Sequence, residues 1–141
     1  MKNIFVSFLV FALILMSSSC SLDDDHQSNF HFEALEVVSA DFPETFEYGN
    51  IYRINVTFNR PTTCHYFEGF DFNRTGETER TIYGVASVLE DEKCEDLTDS
   101  EVENYFDFEV IYTGTYTFKI WAGVNENDED EFLIIEVPVE N

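Results

Sequence analysis

Ile51-Tyr52-Arg53-Ile54-Asn55-Val56-Thr57-Phe58 alternates without a break. Tyr52, Ile54, Val56 and Phe58 fall on one side, and Arg53, Asn55 and Thr57 on the other. A period of two belongs to a strand with one face in a core. The β-branched Ile51, Ile54, Val56 and Thr57 suit a pleated surface. The same pattern recurs outward from this octapeptide. Residues 32–38 precede it; residues 64–72, 81–89, 106–111, 116–122 and 132–139 follow, separated by turn residues such as Thr113-Gly114-Thr115. One helical turn is expected over residues 98–104, capped by Thr98 or Asp99. Seven short strands without a long helical pattern predict an all-β chain, a seven-stranded antiparallel β-sandwich.

Gly114-Thr115-Tyr116-Thr117-Phe118 resembles the tyrosine corner at the start of the sixth strand of immunoglobulin-like domains. Phe118 then stands where antibodies carry a disulfide cysteine. The resemblance implies that residues 30–141 form one immunoglobulin-like β-sandwich domain, with Tyr116, Phe118 and Ile120 facing inward. It also implies that the third strand begins at the pole where the fourth ends. Cys64 and Cys94 then meet at that pole, together with the start of the first strand and the loop over residues 123–131.

The amino-terminal end is of a different kind. Lys2 is followed by a mostly apolar run over residues 4–16 and then by Ser17-Ser18-Ser19-Cys20. Thirteen residues make about 20 Å of helix, short of the roughly 30 Å hydrocarbon core of a bilayer. Charge, apolar run and small-residue break match a secretory signal over residues 1–19 better than a membrane anchor or a core helix. Met16-Ser17-Ser18-Ser19-Cys20 resembles a lipobox, with Ser17 in a place where Leu, Val or Ala is commoner. The resemblance implies that Cys20 carries lipid and becomes the first mature residue. Each buried methylene of such an anchor contributes about 0.8 kcal/mol, so two or three chains hold where one does not. Ser21-Leu22-Asp23-Asp24-Asp25 is similar to the surface-export signal of lipoproteins of the Bacteroidota. Its other reading is a solvated tether over residues 20–29. Arg60-Pro61-Thr62-Thr63-Cys64-His65, Cys94 and Tyr116-Thr117-Phe118-Lys119-Ile120-Trp121 are together similar to a group of small lipoproteins of the same phylum. That implies an outer-membrane, lipid-anchored location and no particular activity.

Charge excludes more than it assigns. The chain carries 7 basic and 29 acidic residues, a net charge of −22. Cleavage before Cys20 removes Lys2 and no acid. Nucleic-acid binding requires the opposite sign, and adhesion to anionic lipid by charge is disfavoured. Fifteen Phe, seven Tyr and one Trp are too many aromatics for a disordered chain and enough to fill a core.

With Cys20 assigned to lipid, Cys64 and Cys94 remain. In an oxidising compartment a disulfide is the natural pairing. The competing metal site from Cys64, His65 and Cys94 is one ligand short, and neighbouring strand residues point to opposite faces. In the loop over residues 123–131, Asn125, Asn127, Asp128, Asp130 and Glu131 are hard oxygen ligands of the kind calcium takes, but no glycine turns the middle of the loop. The alternative is a solvated hairpin. No cofactor other than calcium is indicated. Catalysis is not expected: His65 is the one histidine clear of the tether, and the residues suggest no nucleophile, base and orienting group. Asn59-Arg60-Pro61-Thr62-Thr63-Cys64 is similar to the Asn-Pro-Thr-Thr-Gly loop of chagasin-type cysteine-protease inhibitors, with Arg60 inserted, Cys64 in place of glycine, and no Arg-Pro-Trp element later. The expected role is non-catalytic: binding of a protein or glycan partner, or a structural part in the envelope. Tyr66 or Phe67 would stack on sugar rings if exposed. Trp121 is expected between the sheets or on a sheet face.

Overall fold

The computed structural model describes residues 29–90 and 93–140. The expected signal, Cys20 and all of the tether but Asn29 lie outside them. Among the described residues there are strands and turns and no helix. The strands are β1 (Phe30–Leu35), β2 (Val37–Asp41), β3 (Phe46–Glu47), β4 (Ile51–Asn59), β5 (His65–Arg74), β6 (Glu79–Leu89), β7 (Glu101–Glu109), β8 (Thr115–Val124) and β9 (Asp130–Glu140).

They form two sheets. β2, β4 and β7 make a three-stranded antiparallel sheet with β4 in the centre. The other six build on β6. β5 lies antiparallel along one edge of β6. The opposite edge is shared end to end: β1 runs antiparallel to Gly84–Leu89, and β8 runs parallel to Glu79–Ile82. β9 pairs antiparallel with β8, and β3 parallel with the end of β9.

The sandwich core is aromatic. Ile54, Val56 and Phe58 of β4 face Ile82 and Ala86 of β6 and Tyr116, Phe118 and Ile120 of β8, all fully buried. Phe46 lies within 4.8–6.1 Å of the Tyr52, Phe108, Tyr116 and Phe118 rings, stacked on Phe108 and tilted or edge-on to the others, geometries that aromatic pairs prefer. At Gly84 the Phe58 ring of the facing sheet lies so near that a Cβ would stand 2.5 Å from it.

The Tyr116 hydroxyl accepts the backbone N–H groups of Tyr112 at 2.9 Å and Ile111 at 3.2 Å. That is the corner expected of it: a buried ring tied back to the turn before its own strand.

Four expectations are corrected. There are nine strands rather than seven, and two of the pairings are parallel. The order is also not that of an immunoglobulin domain, where the fourth strand pairs with the fifth and the third belongs beside the sixth. Here the fourth expected strand, β6, sits in the middle of the larger sheet, between β5 and β8. Its inward residues Gly84 and Ala86 are small, and its outward Tyr83 and Val85 are half-covered, which suits a strand with neighbours on both sides. The expected first strand is two strands, interrupted at Glu36. The chain there leaves the larger sheet for the smaller, with a register shift between Val37 and Ser39; bends and bulges are how strands change sheets. The helical turn over residues 98–104 is absent. Asp99 has φ +54°, outside the helical region, and β7 pairs with β4 from Glu101 onward.

Candidate binding site at the disulfide end

Cys64 and Cys94 form a disulfide with a Cα–Cα distance of 5.4 Å. Around it the chain is stitched closely. Thr62 bridges Asp96, Thr63 N–H donates to Glu95 O, and Leu97 N–H donates to Pro61 O. The segment similar to a protease-inhibitor loop is therefore half of a small two-stranded ribbon. β1 starts at this end (Phe30 opposite Leu89), as do β5 (His65 opposite Val88) and β7 (Glu101 opposite Asn59). The first strand thus begins where the cysteines meet, as the sequence reading placed it. β8 runs parallel to β6, so the loop after β8 points the same way.

Strand alternation sorts the side chains here into two faces. His31 and His65 both lie opposite Val88 and face inward. Glu33 spans them: one carboxylate oxygen meets His31 Nε2 at 2.7 Å, the other His65 Nε2 at 3.2 Å. His31 Nδ1 is 3.5 Å from Glu90. The hydrogen bonds from His31 and then His65 hold the Glu33 carboxyl below the usual carboxylate value. The hydrogen bond to Glu33, helped by Glu90, raises His31. His65, only 7% exposed, is fixed at its other nitrogen by the Thr62 hydroxyl at 2.8 Å.

Thr62, His65 and Glu33 thus form the hydroxyl–imidazole–carboxylate contact that sequence reasoning missed. Glu33 and His65 stand 32 residues apart, and only the pairing of β1 and β5 to opposite edges of β6 brings them together. The Thr62 hydroxyl also accepts Cys64 N–H at 3.1 Å, so it serves the turn before β5.

Beside this chain of groups lies a cleft of about 380 Å³ between β5 and β7, lined by Leu35, Arg60, His65, Tyr66, Phe67 and residues 100–102. Arg60 donates to His65 O and Thr63 O, both at 2.9 Å, and stands 5.7 Å from the Tyr66 ring.

The opposite, outward face carries Phe30, Phe32, Tyr66 and Leu89. Phe32 and Tyr66 both lie opposite Ser87, one on each side of it. Phe30 pairs with Leu89 one row further along and meets Phe32 edge-on at 5.3 Å. Phe32 is 62% exposed and Tyr66 49%. Ser87 forms the floor between them and donates to Glu68 at 2.5 Å. Glu68 reaches it because the register shifts between Phe67 and Gly69. Of the two residues considered for stacking, Tyr66 is therefore the exposed one. Phe67 turns inward, 5.8 Å from the Phe58 ring and 5.1 Å from Phe70. Trp121 lies on the outward face of the same sheet, beside Tyr83, with Nε1 donating to Asp130.

The five oxygen-bearing residues considered for calcium lie in and after the β8–β9 hairpin loop. The Asn125 side-chain oxygen accepts Asn127 N–H at 2.8 Å and Glu129 N–H at 3.1 Å. Asp130 takes the Trp121 indole at 2.8 Å. Asp130 and Glu131 are consecutive strand residues and point to opposite faces, and Asp128 holds the loop with φ +60°. Among the described residues, no three acidic, histidine or cysteine side chains converge in a group suited to a metal.

No protein-family model matches the chain. No curated protein is significantly similar to it, and no solved structure matches it.

Proposed function

We propose that this chain is an exported lipoprotein, cleaved before Cys20 and anchored through it to the outer membrane. There it binds a protein or glycan partner without catalysing a reaction. The observation that supports the binding role is the group Phe30, Phe32, Tyr66 and Leu89, gathered and exposed on one face of the larger sheet. Scattered exposed apolar residues need no explanation, but a contiguous patch rimmed by polar groups marks an interaction site. The disulfide and the ribbon around it hold that patch on fixed strands, which lowers the ordering cost of binding.

Attachment is tested by metabolic labelling with palmitate in the native host. Label is expected on the chain and lost in Cys20→Ser. Binding is tested by placing a photo-cross-linking residue at position 32 or 66 in the same host. A covalent adduct is expected from those positions and not from position 38, which is exposed on the other sheet. Equal adducts from all three, or none, would refute the role given to this face.

A further inference from the structure

We propose that the row Phe32–Ser87–Tyr66, with Glu68, is a subsite for a neutral glycan, its sugar rings lying against Phe32 and Tyr66 and its hydroxyls donating to Glu68. This deepens the binding role proposed above and rests on it.

Two observations choose this occupant. The first is the alternation of ring and polar group. Two rings flank a serine whose hydroxyl already donates to Glu68, which leaves the second carboxylate oxygen to accept. A saccharide offers the complement, with apolar C–H faces on its rings and hydroxyl donors at their rims. Neighbouring strands stand about 4.8 Å apart, so Phe32 and Tyr66 spring from the backbone about 10 Å from each other. That spacing suits an extended ligand laid across the strands, and one ring alone would not span it. The second is charge. At −22 overall, with Glu68 in the row, the platform repels uronic acids, sulfated sugars and phosphate-bearing lipid; the Arg60 guanidinium, 5.7 Å from the Tyr66 ring, is turned to the Thr63 and His65 carbonyls.

The test uses the full chain carrying Cys20→Ser, which stays unlipidated. Its migration is followed in native gels containing amylopectin, xyloglucan, galactomannan, mixed-linkage β-glucan or polygalacturonate. Retardation by at least one of the neutral polymers and not by polygalacturonate is expected. Phe32→Ala and Tyr66→Ala should each weaken it about tenfold, the effect of removing an anchoring ring. Ile134→Ala, exposed on the outward face of β9, should leave it unchanged. Both ring residues are exposed, so an unaltered melting temperature shows that each variant is folded. The inference is overturned if no neutral polymer retards the chain, if the ring variants bind as before, or if neutral phosphatidylcholine vesicles are bound instead through the same two rings. A protein captured from positions 32 and 66 in the cross-linking experiment would sink the glycan while leaving the binding face standing.

Discussion

Replacing Tyr116 by Phe removes one oxygen and nothing else, at a residue that is fully buried. The ring keeps its packing against Phe108, 5.2 Å away, and Phe118, 6.0 Å away. Two backbone N–H groups, of Ile111 and Tyr112, lose their acceptor. A buried donor left without a partner costs about 1–3 kcal/mol. Ile111 is 47% exposed, so its N–H can turn to water, and most of the loss falls on Tyr112. The expected cost is about 2 kcal/mol. At about 2.1 cal/mol/K of unfolding entropy per residue, a domain of about 110 residues should melt about 9 °C lower. In urea, with a slope of about 1.5 kcal/mol/M, the midpoint should fall by about 1.3 M at unchanged slope. Tyr52→Phe is the control. The Tyr52 hydroxyl also accepts a backbone N–H, that of Glu47 at 2.8 Å, but at an exposed site. It should cost well under half as much. If Tyr116→Phe is as mild as Tyr52→Phe, the corner contributes no more than any aromatic strand residue, and its role as a fixed point of the fold is refuted.

Gly84→Ala forces a methyl group against the buried Phe58 ring and should destabilise by about 1–3 kcal/mol, read as a lowered denaturation midpoint. Replacing Cys64 and Cys94 together by Ser opens a loop closed across 30 residues; the chain-entropy cost is about 3.6 kcal/mol, measured against the oxidised protein. The His31–Glu33 contact should be strongest between pH 4.5 and 6.5. Glu33 is lowered from 4.5, so its contribution fades as pH falls through that lowered value; His31 is raised from 6.5, so its contribution fades as pH rises through the raised one. Proton NMR should show His31 titrating above 6.5, and back towards 6.5 in Glu33→Gln; an unmoved titration would show that the contact is not populated in solution. Millimolar calcium should leave the melting temperature unchanged, because the Asn125 oxygen and one Asp130 oxygen are already engaged within the hairpin.

Much of the fold is legible in alternation. The inward faces of β4, β7 and β8 follow from Ile54-x-Val56-x-Phe58, Phe106-x-Phe108 and Tyr116-x-Phe118-x-Ile120, because each is half-covered and a period of two records that. The period says nothing about neighbours. Ile82-Tyr83-Gly84-Val85-Ala86-Ser87-Val88-Leu89 is apolar or small on both faces, the mark of a strand inside a sheet, yet an edge position by analogy with immunoglobulin domains uses the same residues. β3 is two residues long and has no period at all; Phe46 makes it part of the core by filling space between the sheets.

The candidate site was less legible, for a related reason. Its residues meet across β6, and no local pattern encodes which strand lies on which side of it. Once β1 and β5 flank β6, two rows follow from one register. His31 and His65 face each other over Val88 on the inside, joined by Glu33, while Phe32 and Tyr66 flank Ser87 on the outside. The histidine–carboxylate contact and the aromatic platform are then two faces of one pairing. A slip of β1 by a single residue would turn Phe32 inward and His31 outward, so the polar contact that favours the present register also keeps the rings exposed. Glu33 thereby acts on the outer face without touching it.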